Sequence, residues 1–160
     1  MQDRRSAISK FLLQLNLLEQ RIKISDEIML EISNVNLQDK RLDKTFHTLS
    51  LDVESYYNVA YLLLKRVRFL LPSEKSERLV KEKIYTDIKT QRDIIQHGYD
   101  EVAKPNIKDP FNGMRWHPKE GFILKGGSPY RSKNLPGYSI CKKRLDKIIS
   151  DYKINEIEEV

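Results

Sequence analysis

Glycine and proline are absent from the first 71 residues of this 160-residue chain. Nothing there forces a turn through backbone stereochemistry, and polar patches are the only punctuation. Cysteine occurs once, at Cys141, which excludes an internal disulfide and any metal cluster built on cysteine. Histidine occurs three times, at His47, His97 and His117, too widely spaced for a recognisable metal site. No cofactor is therefore expected. Long apolar runs are missing too. The longest stretch, VAYLLLKRVRFLL, is interrupted by Lys65, Arg66 and Arg68 and reads as a core helix. Without a signal peptide or a membrane span, the chain reads as soluble and cytoplasmic, with no membrane partner.

What is present is helical periodicity. The length suits one domain, 1–160, large enough to bury a core without disulfides or metals. Ile8, Phe11, Leu12, Leu15, Leu18 and Ile22 fall three and four apart and predict a first helix over 3–32. The patch from Ser33 to Asp39 ends it. A second helix follows over 40–71; its later half is apolar on most sides, which marks a central helix. Pro72 stops that helix, and Ser73 and Ser76 offer capping hydroxyls for a third over 73–103. Ile84, Ile88, Ile95 and Val102 form its apolar stripe. Tyr56, Tyr57 and Tyr61 fit helical packing with hydroxyls near the surface. The fold class is all-α, an antiparallel helical bundle.

The composition then changes abruptly. Five of the six prolines and five of the six glycines lie between Lys104 and Gly137. This stretch predicts a loop-rich insert, 104–138, with a small hairpin such as Gly121 to Leu124 turning back through Gly126 and Gly127. A last helix is expected over 139–154. From Lys104 to Lys147 the net charge is +8, against +6 for the whole chain, so the remainder is slightly acidic. Basic residues interleaved with aromatics suit single-stranded nucleic acid, cations facing phosphates and rings facing unstacked bases. The candidate RNA-binding residues are Arg115, Trp116, His117, Lys125, Arg131 and Lys133, with Lys142, Lys143 and Arg144 opening the last helix. Aromatics that pin a long loop to the bundle, with lysines solvating it, would give the same composition.

The stretch QRDIIQHGYD, residues 91–100, concentrates chemistry on the third helix. With Ile95 set toward the core, Arg92, Gln96 and Tyr99 share one flank, while Asp93, His97 and Asp100 fall almost opposite the core. His97 is thus poorly placed to be a core histidine. Asp93 and His97 form an i, i+4 pair in which the carboxylate can hold the imidazole and favour its protonated form. Arg92 offers a rigid fork of donors for a phosphate. A phosphate clamp beside a proton-transfer group suffices for metal-free cleavage of RNA, whose 2′-hydroxyl is an internal nucleophile. A solvated helix face carrying a histidine between carboxylates is the bland reading of the same residues.

The run R-D-I-I-Q-H-G-Y, Arg92 to Tyr99, resembles the motif of HEPN-domain ribonucleases, and its H-x-Y extension is similar to that of the HepT toxin branch. The resemblance implies a small HEPN-like antiparallel helical bundle and a homodimer in which both motifs face a shared cleft. It implies metal-independent endoribonuclease activity in a toxin or defence effector, with RNA (transfer RNA among the candidates) as substrate. Arg92, His97 and Asp93 would be the catalytic residues. It also implies that Tyr99 matches the tyrosine that a partner nucleotidyltransferase antitoxin modifies with AMP. Two other classes stay open on the residues: a non-catalytic helical module that binds nucleic acid or protein, and a purely structural adaptor.

Overall fold

The computed structural model describes residues 6–35, 38–102, 114–124 and 135–159, and of 98–102 the backbone alone. It is an all-α helical bundle with one small hairpin. Helix α1 (Ala7–Val35) and helix α2 (Lys40–Leu70) run antiparallel; Arg21 on the first pairs with Asp52 on the second at 3.1 Å. Ile8, Leu15, Ile22 and Met29 are all buried. Their seven-residue spacing seats one seam of α1 against α2 along most of its length. Asp39 caps α2 by accepting the Arg41 amide at 2.9 Å.

Helix α2 is the central element, as the apolar character of its later half predicts. Val53, Tyr56, Tyr57, Ala60, Leu63, Leu64 and Val67 are fully enclosed. Tyr56 and Tyr57 depart from expectation: their side chains are inside, not at the surface, and the Tyr56 hydroxyl has no hydrogen-bond partner among the described residues.

The single helix expected over 73–103 is two helices, α3 (Ser73–Lys81) and α4 (Lys83–Val102). Glu82 between them is extended (φ −64°, ψ 134°), and its carbonyl accepts the Tyr85 and Thr86 amides that open α4. Helical phase gives the reason. Leu79 and Ile88 are both fully buried. Nine residues at about 100° each would put them on opposite faces of one continuous helix. The break resets the phase so that both reach the core. Nor do the expected serine caps form: Pro72 precedes α3 without a side-chain cap, and Ser76 Oγ donates back to the Arg68 carbonyl at 2.8 Å.

A small hairpin is present, through a turn on the other side of Gly121–Ile123 from the one expected. Strand β2 (Gly121–Ile123) pairs with the preceding strand β1 (Arg115–His117), in the register Trp116 opposite Phe122; Gly126 and Gly127 lie outside the described residues. Phe122 is fully buried against Phe46 of α2, their ring centroids 5.5 Å apart. The hairpin turn docks on the start of helix α5 (Tyr138–Asp151), where the Ser139 amide donates to the Glu120 carbonyl at 3.0 Å. Only glycine fits there. A Cβ on Gly137 would lie 2.4 Å from that carbonyl oxygen, and Gly121 has φ +73° with Ser139 Oγ in its way. Helix α5 ends at Asp151, and a 3-10 turn (Ile154–Glu156) completes the last expected helix. Among the described residues no helix is long and apolar enough to cross a membrane.

Candidate functional site

The motif residues sit on α4 where it packs against α2. Ile84, Ile88 and Ile95 are buried, as the projection predicts; Ile94 is buried as well, and Gln96 is exposed. Arg92 is about one-third exposed. Its guanidinium lies over the Tyr61 ring, 5.1 Å from the centroid, and its Nη1 meets Asp93 Oδ1 at 3.3 Å. Asp93 is thus ion-paired to its immediate neighbour on α4. Asp93 and His97 are both half-buried, less open than a position opposite the core implies. The Tyr99 side chain lies outside the described residues.

Arg92, Ile95 and Gln96 form one wall of a cleft of about 290 Å³. The opposite wall is α2, with Leu51, Glu54, Ser55 and Asn58. Glu54 is only 9 % exposed, and its carboxylate accepts from Ser50 Oγ at 3.4 Å. A guanidinium, a carboxylate and an amide therefore share one recess. Sequence reading missed Glu54 and Asn58. The available signal was their i, i+4 spacing as polar residues beside the apolar later half of α2.

The candidate RNA-binding residues do not join that cleft. Trp116, Lys142 and Lys143 line a second, larger recess of about 470 Å³ between α1, the hairpin and the start of α5. The Trp116 indole N–H donates to Asp26 Oδ1 at 2.8 Å. Burial pushes the Asp26 carboxyl above its ordinary range, and the indole bond partly offsets this. Glu19 on the same helix is raised by burial, against the pull of Lys142. Lys142 donates to Asp146 at 2.9 Å and lies 4.0 Å from Glu19.

Arg144 pairs with the buried Asp87 of α4 at 3.5 Å, tying α5 to the bundle. Arg115 and His117 are exposed on β1. The His117 Nδ1 accepts the Lys119 and Glu120 amides at 3.1 and 3.3 Å, so this imidazole holds the hairpin turn. Lys125, Arg131 and Lys133 lie outside the described residues. His47 is exposed on α2, edge-on to Phe46. Among the described residues no cluster of three His, Cys, Asp or Glu side chains could hold a metal ion. No protein-family model, no curated protein and no solved structure matches the chain.

Proposed function

We propose that the chain is a HEPN-type, metal-independent endoribonuclease that acts as a homodimer, in a toxin or defence role. The observation that carries this reading is the fixed Arg92 guanidinium, stacked on Tyr61 and facing a cleft, with His97 five residues further along the same helix. Five residues are about 7.5 Å of helix rise and about 140° around the axis, so the two side chains leave α4 on different sides, and the reading needs the motif of a second copy to complete the site. In the reaction the 2′-oxygen forms a bond to phosphorus while the bond from phosphorus to the 5′-oxygen breaks. The 2′-hydroxyl loses its proton, the 5′-oxygen gains one, and a 2′,3′-cyclic phosphate and a 5′-hydroxyl result. Arg92 neutralises the charge growing on the phosphoryl oxygens, and His97 moves the proton.

A second copy of the chain is supported by exposed apolar surface on α1 and α2. Leu17 and Ile24 of α1 are 52 % and 58 % exposed, and Leu51, on the cleft wall itself, is 58 % exposed. Leu17 and Ile24, seven residues apart, share one stripe of α1; contiguous exposed apolar surface marks an interaction site, and twofold pairing is its commonest form. A nucleotidyltransferase antitoxin acting on Tyr99 belongs to the same proposal.

Purified protein incubated with RNA in EDTA tests the reading. Wild type should give fragments ending in cyclic phosphate, and His97→Ala should not. If both leave the RNA equally intact, the nuclease reading fails. The alternative, a non-catalytic helical module that binds nucleic acid or protein, is favoured by the separation of the two clefts: Trp116, Lys142 and Lys143 line a recess that contains neither Arg92 nor His97. It expects salt-sensitive RNA binding that survives His97→Ala.

A further inference from the structure

The larger cleft carries a constellation that the cleavage reading does not use. Trp116 supplies an aromatic wall, and Asp26 is fixed beside it by the indole N–H at 2.8 Å. A carboxylate has about four acceptor sites, and the indole occupies one. Lys143, exposed at the rim, has no ion-pair or hydrogen-bond partner among the described residues. Tyr138, 4 % exposed, also lines the cleft, and its hydroxyl is buried with no hydrogen-bond partner among the described residues. A volume of about 470 Å³ lies in the size class of small-ligand sites and suits a mononucleotide.

We propose that this cleft binds a guanine nucleotide, with the base against Trp116, its N1–H and N2 amino group donating to Asp26, and its phosphate on Lys143. Base identity follows from the donor pattern. An ionised carboxylate only accepts hydrogen bonds. Guanine presents two adjacent donors along one edge. Adenine and cytosine place a ring-nitrogen lone pair beside their amino group, and uracil sets its single N–H between two carbonyls. Each of these turns a lone pair toward the carboxylate. A site built to accept from a ligand rejects analogues that lack the donor, because its own acceptor is then left unpaired. Stacking on the indole adds affinity for any base, so the carboxylate makes the selection. The proposal is independent of RNA cleavage, since neither Arg92 nor His97 takes part.

Trp116 is the only tryptophan in the chain, so its fluorescence reports this cleft alone. The full chain is titrated with GMP, AMP, CMP, UMP, guanosine and inorganic phosphate. GMP should give a saturable change at concentrations at least tenfold below those of the other three nucleotides. Asp26→Asn, which keeps an acceptor for the indole, should weaken GMP at least tenfold. Lys143→Ala, at an exposed position, should weaken GMP several-fold and leave guanosine unchanged. His97→Ala should bind GMP as wild type does, whatever its effect on RNA. Equal affinity for all four nucleotides, no saturable change with GMP, or wild-type GMP affinity in both variants overturns the proposal.

Discussion

The Arg92 guanidinium lies 5.1 Å from the centroid of the Tyr61 ring, a contact that joins α4 to the central helix at the edge of the smaller cleft. Stacking below and the Asp93 carboxylate at the side leave the fork little freedom. A preset donor geometry is what a phosphate clamp requires, because no reorganisation is then needed during the reaction.

The first prediction follows from that fork. Arg92→Lys keeps the charge but loses both the planar donors and the stack. RNA cleavage in EDTA should fall roughly 100-fold or more, the scale of losing a preorganised electrostatic contact. Tyr61→Leu removes a cation–π contact worth about 0.5–1 kcal/mol. It should slow cleavage by a factor of roughly 2–5 and leave the fold intact by circular dichroism. Equal rates for all three proteins would show that Arg92 does not touch the reacting phosphate.

Self-association supplies the second. Leu17, Ile24 and Leu51 expose apolar surface that a monomer would leave wet. Leu17→Lys combined with Ile24→Lys should convert a dimer into a monomer in light-scattering chromatography. The melting temperature of the isolated chain should change little, since both side chains already face solvent. Cleavage should fall with the dimer fraction. A wild type that is monomeric at micromolar concentration removes the shared-cleft arrangement.

Much of the helical frame was legible because periodicity reports burial directly. Ile8, Leu15 and Ile22 face the core as their spacing demands, and α2 is central because its later half is apolar on most sides. The break at Glu82 was hidden, since no glycine or proline marks it. Its signal was a phase conflict between Leu79 and Ile88, visible only once both are known to be buried. The partner strand Arg115–His117 was hidden because no glycine pair marks the turn at 118–120, while docking on α5 requires glycine at 121 and 137; Gly126–Gly127, the stronger turn signal, lies outside the described residues. For the candidate site, a projection of α4 places Arg92 and Gln96 on one flank. It cannot show that Glu54 and Asn58 face them across a cleft, because that depends on how two helices cross. Composition likewise groups Trp116 with Arg115 and His117. In three dimensions the indole turns inward to Asp26, and the other two remain at the surface.

The third prediction concerns the lone thiol. Cys141 is fully buried, accepts from Gln91 Nε2 at 3.1 Å and faces the Pro136 carbonyl. Burial pushes the thiol up to about 11. The reactive species is the thiolate, so the native protein should be inert to a thiol reagent near neutral pH. Labelling should appear only on unfolding and follow the denaturant transition measured by circular dichroism. Rapid stoichiometric labelling of the folded chain would contradict this packing.

The last prediction is a pH profile. Glu159 joins the two ends of the chain: its Oε1 accepts the Ile8 amide at 2.7 Å, and its Oε2 pairs with Arg66 at 2.8 Å. The Ile8 amide, and after it Arg66, hold this carboxyl below its ordinary value of about 4.5. Folding therefore favours the ionised form, and the stabilisation is present above that ordinary value and lost as pH falls through the depressed one. Asp26 and Glu19 have the opposite sign. Burial raises them, so ionisation costs stability as pH climbs through their raised values. Glu159→Gln should lower neutral stability by about 1 kcal/mol, a figure reduced for the half-exposed Arg66. It should also flatten the fall in melting temperature between about pH 4.5 and more acid conditions. Asp26→Asn should instead leave neutral stability unchanged or raised, since it keeps the indole bond and removes a buried charge. Melting curves of the two variants from pH 3 to 7 should thus move in opposite directions relative to wild type.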